Sequence, residues 1–217
     1  FYAGRGDVAS VRGMGTEAAA RELRYAFLTR CAAEHGYDWI ATAHTADDNA
    51  ETLLLNLARG CGLRGLTGIP PQRGRLLRPM LDTTRAQAEA YLTAHAIPHV
   101  EDSTNAADAY ARNRVRRAAL PALQSTNGAA AENLARFCEK AARADAYFAR
   151  KAEELLSAAR LDAAQAAIKS PEACTVWRLG PLSAADALIL EAAMHSLTAP
   201  AVSYTHLRAH ETLSDLV

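Results

Sequence analysis

The chain has 217 residues, half of them hydrophobic, and its 24 basic and 24 acidic side chains leave no net charge at pH 7. That balance excludes a disordered polymer and gives room for one α/β domain and part of a second. No apolar run approaches the roughly 20 residues that cross a bilayer, and no signal-peptide pattern opens the chain, so it reads as cytoplasmic with no membrane partner.

In chain order, Phe1–Val8 reads as a strand. From Glu17 to His35 the spacing is helical, with Ala19, Leu23, Ala26, Phe27 and Arg30 recurring by threes and fours, and Gly36 follows as a C-terminal cap. Asp38–Ala43 (DWIATA) is short, apolar and bounded, as a buried strand is. Thr45 then stands as an N-cap with Asp48 three residues on, and Ala50, Leu54, Leu57 and Ala58 line one face of a helix that stops at Gly60. A glycine-rich segment (GCGLRGLTGIPP) leads to a strand at Leu76–Pro79. Thr84 with Gln87 opens a further helix through His95, and Ile97–Val100 is a short strand. Strands alternating with helices of this length predict βαβ units and a mostly parallel sheet, with ligands beyond the carboxyl ends of its strands.

From Ala111 the pattern becomes helical. A short arginine-rich helix, Ala111–Leu120, is expected to end at Pro121, and longer helices are expected at Asn133–Ala159 and Ala184–Leu197. The turn formers Gln124–Gly128 mark a boundary between an α/β part, 1–125, and a helical part, 126–200. Residues 201–217 break with the alanine-rich composition before them and read as a non-native tail.

Chemistry concentrates in a few places. His44 closes the DWIATA strand, and Asp47, Asp48 and Glu51 fall in the first turns of the next helix. Helical spacing puts Glu51 on the face of Asp47 and Asp48, with the apolar positions on the other side. Carboxylates at a helix start suit a magnesium ion with phosphates, or simply complement the helix dipole; spacing alone leaves both open. Arg59, Arg64, Arg73, Arg75, Arg78 and Arg85 share their stretch with one acid, Asp82, and Arg112, Arg114, Arg116 and Arg117 follow with none among them. Arginine without lysine suits bidentate phosphate contact, although such runs are also common on solvated faces. The four cysteines (Cys31, Cys61, Cys138, Cys174) lie far apart, against a zinc ribbon, an iron–sulfur cluster of the usual spacing or a disulfide framework.

Read as H-T-A-D-D-N-A-E-T-L-L-L-N-L-A-R-G-C-G-L-R-G-L, residues 44–66 resemble a signature of the tRNA(Ile)-lysidine synthetases, which belong to the N-type ATP pyrophosphatases or PP-loop enzymes. Glu22-Leu-Arg-Tyr25 resembles a helix that precedes the strand in that family, and Asp102-Ser-Thr-Asn105 with Arg112-Asn113-Arg114-Val-Arg116 resembles its third motif. Asn49 and Cys61 stand where the family commonly has Gln and Ser. The resemblance implies a doubly wound, mostly parallel sheet of the HUP type, with its first strands missing, in a partial PP-loop domain over 1–125, followed by an all-α region over 126–200 that binds substrate and tRNA.

It also implies an ATP-dependent ligase with ATP and Mg2+, joining free L-lysine to a cytidine in the anticodon of a tRNA(Ile) with a CAU anticodon, and it allows a homodimer. Catalytic roles would fall to His44, Asp47, Asp48 and Glu51, with metal ligation by Asp48 and Glu51. Substrate contact would fall to Arg59, Gly60, Gly62, Arg64, Arg112, Asn113 and Arg114. The family's S-G-G-x-D-S phosphate loop does not occur in these residues, so the chain by itself is expected to be inactive. The alternatives are another PP-loop enzyme that modifies tRNA or forms amides, and a non-catalytic RNA-binding fragment; paired cysteines, expected of a tRNA thiolase, do not occur.

Overall fold

The computed structural model describes residues 1–11, 13, 15–99, 111–161 and 176–198. They divide between two compact units: residues 1–49 with 69–101, and residues 50–68 with 102–217.

In the first unit the opening residues form no strand. Irregular chain leads into a 3-10 turn, Val8–Ser10, whose start is capped by Asp7 accepting the Ala9 N–H at 2.9 Å. Gly4 and Gly6 explain the departure from the expected strand: a Cβ at Gly4 would lie 2.7 Å from the Phe27 ring, and one at Gly6 3.1 Å from Leu23. The segment therefore lies against helix α1 (Thr16–Glu34) through its glycines. α1 ends where Gly36 takes a positive φ of 68°, the left-handed conformation that glycine adopts without penalty.

Three two-residue strands follow: β1 (Ile40–Ala41), β2 (Gln72–Arg73) and β3 (Leu76–Leu77), in the order β1-β3-β2. β1 runs parallel to β3, with Ile40 opposite Leu76 and Ala41 opposite Leu77, while β2 is antiparallel to β3. β2 was not expected; its partner, one tight turn away, sets the pairing, not the hydrophobicity of Gln72 and Arg73. The described strands make this small mixed sheet and no doubly wound one. Helix α3 (Arg85–Ala94) opens with a complete capping box, Thr84 accepting the Gln87 N–H and Gln87 accepting the Thr84 N–H. Ile97–His99 is not a strand, the chain having turned through Ala96 at a φ of 50°; Val100 lies outside the described residues.

Helix α2 (Ala46–Arg59) begins in the first unit and ends in the second. The second unit then holds a 3-10 turn, Leu63–Thr67, and the helices α4 (Ala111–Arg114), α5 (Leu120–Thr126), α6 (Ala130–Ala159), α7 (Leu179–Ser183) and α8 (Ala187–Thr198). Between α4 and α5, Val115–Ala119 is π-helical, with the Leu120 N–H reaching back to the Val115 carbonyl. Pro121 does not stop the helix as expected; it sits in the first turn of α5, and the wider π turn before it relieves the clash a proline makes with the preceding turn.

A two-stranded antiparallel pair, β4 (Arg160–Leu161) with β5 (Val176–Trp177), corrects the all-helical expectation for this region. Ala50, Leu120 and Ala131 form a buried cluster, joined by Leu54 and Leu134. Along α6 the buried positions Ala131, Ala135, Cys138, Ala141, Ala152 and Ala159 are small, which lets neighbouring elements approach closely. The Asp102–Asn105 motif, Cys174 and the 201–217 tail lie outside the described residues.

Candidate functional site

The first unit carries His44, Asp47 and Asp48 at the carboxyl end of the parallel pair. The Thr42 N–H bonds the Leu77 carbonyl at 2.9 Å and so extends the β1–β3 ladder by one residue. Thr42 and His44 then point to one side of the strand, and Thr42 Oγ1 lies 2.9 Å from His44 Nδ1. That contact orients the ring.

The next turn begins α2. The Thr45 N–H and hydroxyl both donate to Asp48 Oδ2, at 2.9 and 3.0 Å, and the Asp48 N–H faces Thr45 Oγ1 at 3.4 Å. This is a capping box with Asp in place of the usual Glu or Gln, as the sequence suggested. Asp47 Oδ2 accepts the Arg85 N–H at 2.7 Å, placing a carboxylate on the first turn of α3, where the helix dipole favours it. Asn49, buried, accepts the Ile69 N–H at 2.7 Å and fixes the chain where it enters the proline-rich turn. Each of these side chains thus has a local structural partner.

In the second unit Glu51 is fully buried, at 0% exposure. Arg112 Nε donates to its Oε2 at 2.8 Å; Arg116 donates Nε to Oε1 at 2.6 Å and Nη2 to Oε2 at 3.0 Å. The i, i+4 spacing of Arg112 and Arg116 places both guanidinium groups on one carboxylate, and the double contact from Arg116 is the charge-assisted, forked kind. A buried carboxylate needs such compensation, and two cations supply it.

Arg59, in the last turn of α2, is exposed, and Gly60 beyond it has a φ of 74°, which explains a glycine at that point. Gly62 caps the 3-10 turn in extended conformation, with its carbonyl accepting the Gly65 N–H at 2.9 Å. Asn56 ties this loop to α2 by donating to the Gly65 carbonyl at 2.8 Å, and a Cβ at Gly65 would meet Cys61 Cβ at 2.4 Å. Arg64 stands exposed in the turn; Asn113 is half-buried and Arg114 exposed in α4.

Three residues outside the expected set make hydrogen bonds to members of it. Thr42 was signalled by its place two residues before His44 on a strand. Arg116 was signalled by sharing a helix face with Arg112. Arg85 had no signal, because its backbone N–H is what matters. Among the described residues no three His, Cys, Asp or Glu side chains come together closely enough to hold a metal ion.

Comparison with known proteins follows the same stretch of chain. Residues 2–123 match the family model described as a PP-loop domain. The chain is similar to a tRNA(Ile)-lysidine synthase of Parabacteroides distasonis, 41% identical over 140 residues, covering 64% of this chain and 32% of that protein. A protein of the same name from Ralstonia nicotianae is 50% identical over 119 residues, 54% of this chain and 26% of its own length. One from Thermus thermophilus is 44% identical over 149 residues, 69% of this chain and 29% of its own. The chain spans about a third of the length of the curated relatives it matches.

Proposed function

Since the chain belongs to the PP-loop family, we propose that it carries part of a tRNA(Ile)-lysidine synthetase, an ATP-dependent carbon–nitrogen ligase working on tRNA in the cytoplasm. The observation that carries this reading is the His44–Leu66 segment, which lies inside the matched PP-loop residues 2–123 of a chain that is 41–50% identical over part of its length to proteins of that name. In the reaction, the C2 carbonyl oxygen of cytidine 34 in a CAU anticodon attacks the α-phosphorus of ATP and pyrophosphate leaves. The amino group of free lysine then attacks C2, the C–O bond breaks, AMP departs and the lysine nitrogen gives up its proton.

Asp48 is our candidate for the carboxylate that meets the reacting groups, with its capping role holding it in place. His44, whose ring is oriented by Thr42, is a candidate for contact with a phosphate or a carboxylate. Arg59, Arg64 and Arg114, exposed on loop and helix, are candidates for contact with anionic parts of ATP or tRNA. Gly60 and Gly62 let the loop backbone approach such a ligand, and Asn113 is a candidate for a base contact.

Glu51 does not fit a magnesium ligand as it stands. Both its oxygens accept from guanidinium nitrogens, and a dication there would stand against two cations in a buried setting. No step here depends on a metal ion. We assign Glu51 instead to positioning Arg112 and Arg116.

The reading is tested by following labelled lysine into RNA. A protein of the relatives' length carrying this sequence, given ATP, should attach lysine to a tRNA(Ile) transcript with a CAU anticodon and not to one with GAU. Lysine attached to neither, or to both equally, would overturn it.

A further inference from the structure

Arg78 is a buried charge that the proposed chemistry leaves unused. It directly follows β3 and is 5% exposed. Its Nη1 donates to the Pro70 carbonyl at 2.5 Å, and its own N–H donates to the Pro71 carbonyl at 2.9 Å. Nε is buried without a hydrogen-bond partner, and no carboxylate among the described residues pairs with the guanidinium. Taking such a group out of water costs more than one hydrogen bond to a neutral carbonyl returns. Stability alone therefore does not account for Arg78, since an apolar side chain of similar size would fill the same space.

What Arg78 does hold is the turn at residues 69–71. Pro70 and Pro71 lack an N–H, so the turn has carbonyls to satisfy and a single donor, at Ile69. That donor goes to Asn49 Oδ1 at 2.7 Å, while Arg78 takes both proline carbonyls. Three consecutive residues are thus pinned between two buried ones, Arg78 at the end of β3 and Asn49 in the first turn of α2. Asn49 adjoins Asp48, and its N–H returns to the Thr45 carbonyl at 3.1 Å, within the same capped turn. On the strand side, Leu77 accepts the Thr42 N–H two residues before His44. All of these residues lie in the first unit.

We propose that Arg78 is a positioning residue for the reacting edge. By holding residues 69–71 it keeps Asn49, and with it Asp48, in place against the carboxyl end of β3. It acts through Asn49 and meets no substrate itself. The inference rests on the lysidine reading for what Asp48 does, but not for the coupling between Arg78 and α2.

Amide hydrogen exchange, followed by NMR on the 217-residue chain without substrate, reads that coupling. Arg78→Met keeps the bulk and removes the donor and the charge. It is expected to lower protection about tenfold at Ile69 and about fivefold at Thr45 and Asn49, as local opening does. Protection through α1 and at Ala88 in α3 should stay within about twofold, and the melting temperature within about 4 °C. Arg78→Lys, still a long cationic donor, should bring Ile69 back to within about threefold of wild type. In a protein of the relatives' length, Arg78→Met should lower kcat for lysine-dependent pyrophosphate release about tenfold and leave KM for ATP and lysine within about twofold. No lysine-dependent release from the unsubstituted protein would sink the lysidine reading and leave the exchange result standing. Wild-type protection at Ile69 and Thr45 in the Met variant, an equal loss throughout α1 and α3, or a KM raised about tenfold at unchanged kcat would overturn the proposal.

Discussion

Two guanidinium groups on one fully buried carboxylate leave Glu51 little freedom, and they leave its neighbours dependent on it. The arginine side chains keep 23% and 21% of their exposure, so part of their charge is still hydrated if the carboxylate goes. Replacing Glu51 by Ala should therefore cost about 3 kcal/mol of unfolding free energy, at the lower end of what breaking a buried ion pair costs. Glu51→Gln, which keeps an acceptor, should cost less. Urea unfolding of the three proteins measures this, and a loss under about 1 kcal/mol in the Ala variant would show that the arginines find equivalent partners. At this scale the sequence singled out Glu51 and Arg112 but not their contact with each other. A carboxylate at helical position i+3 after Asp48 looks the same whether it faces a metal or two arginines sixty residues away. Asp47 is similar: its bond to the Arg85 N–H depends on where α3 begins in space, which no local pattern encodes.

Among the elements, helix starts were legible because their signals are local. Thr45 with Asp48 and Thr84 with Gln87 each carry the capping hydrogen bonds that their spacing implied, and Gly36 and Gly60 take the left-handed conformation at helix ends. Strands were less so. A two-residue strand has no periodicity to read, and its pairing is decided by a partner elsewhere; β2, β4 and β5 exist for that reason. The π segment before Pro121 was illegible too, since proline signals only that an ordinary helix cannot continue unchanged.

Within α6, Cys138 tests how tightly the small-residue face is packed. Burial pushes its thiol up to about 11, because the thiolate is the form that desolvation penalises. At pH 8 the folded protein should thus hold only about one part in a thousand as thiolate, and alkylation of Cys138 should be far slower than at half-buried Cys31 and Cys61. The raised value also has a sign for stability: the neutral thiol is favoured in the folded chain, so this contribution is complete below the ordinary value near 9 and is lost as pH climbs toward 11. Peptide mapping after timed alkylation at pH 8 reads the order directly, and comparable labelling of all three would mean that α6 opens readily.

For the whole molecule, the PP-loop match covers residues 2–123, and the chain spans about a third of its curated relatives. No helix among the described residues is long and apolar enough to cross a membrane. The family could be recognised from ordered short motifs, because each motif holds several residues of fixed type. The sheet could not be read from the sequence with the same success: alternation of strand and helix predicted a larger parallel layer than the mixed three-stranded sheet described here.

In the proposed function the turn from His44 into α2 is both a helix cap and a reacting edge, and Asp48→Asn separates the two. The amide oxygen of Asn can still accept the Thr45 N–H, so the capping box survives while the carboxylate charge does not. The measurement is lysine- and tRNA-dependent pyrophosphate release, with melting as a control, in a protein of the relatives' length carrying this sequence. In the Asn variant release should fall on the order of a hundredfold or more, with the melting temperature shifted by no more than about 4 °C. Release at the wild-type rate from a well-folded Asn variant would contradict it and leave Asp48 as a cap alone.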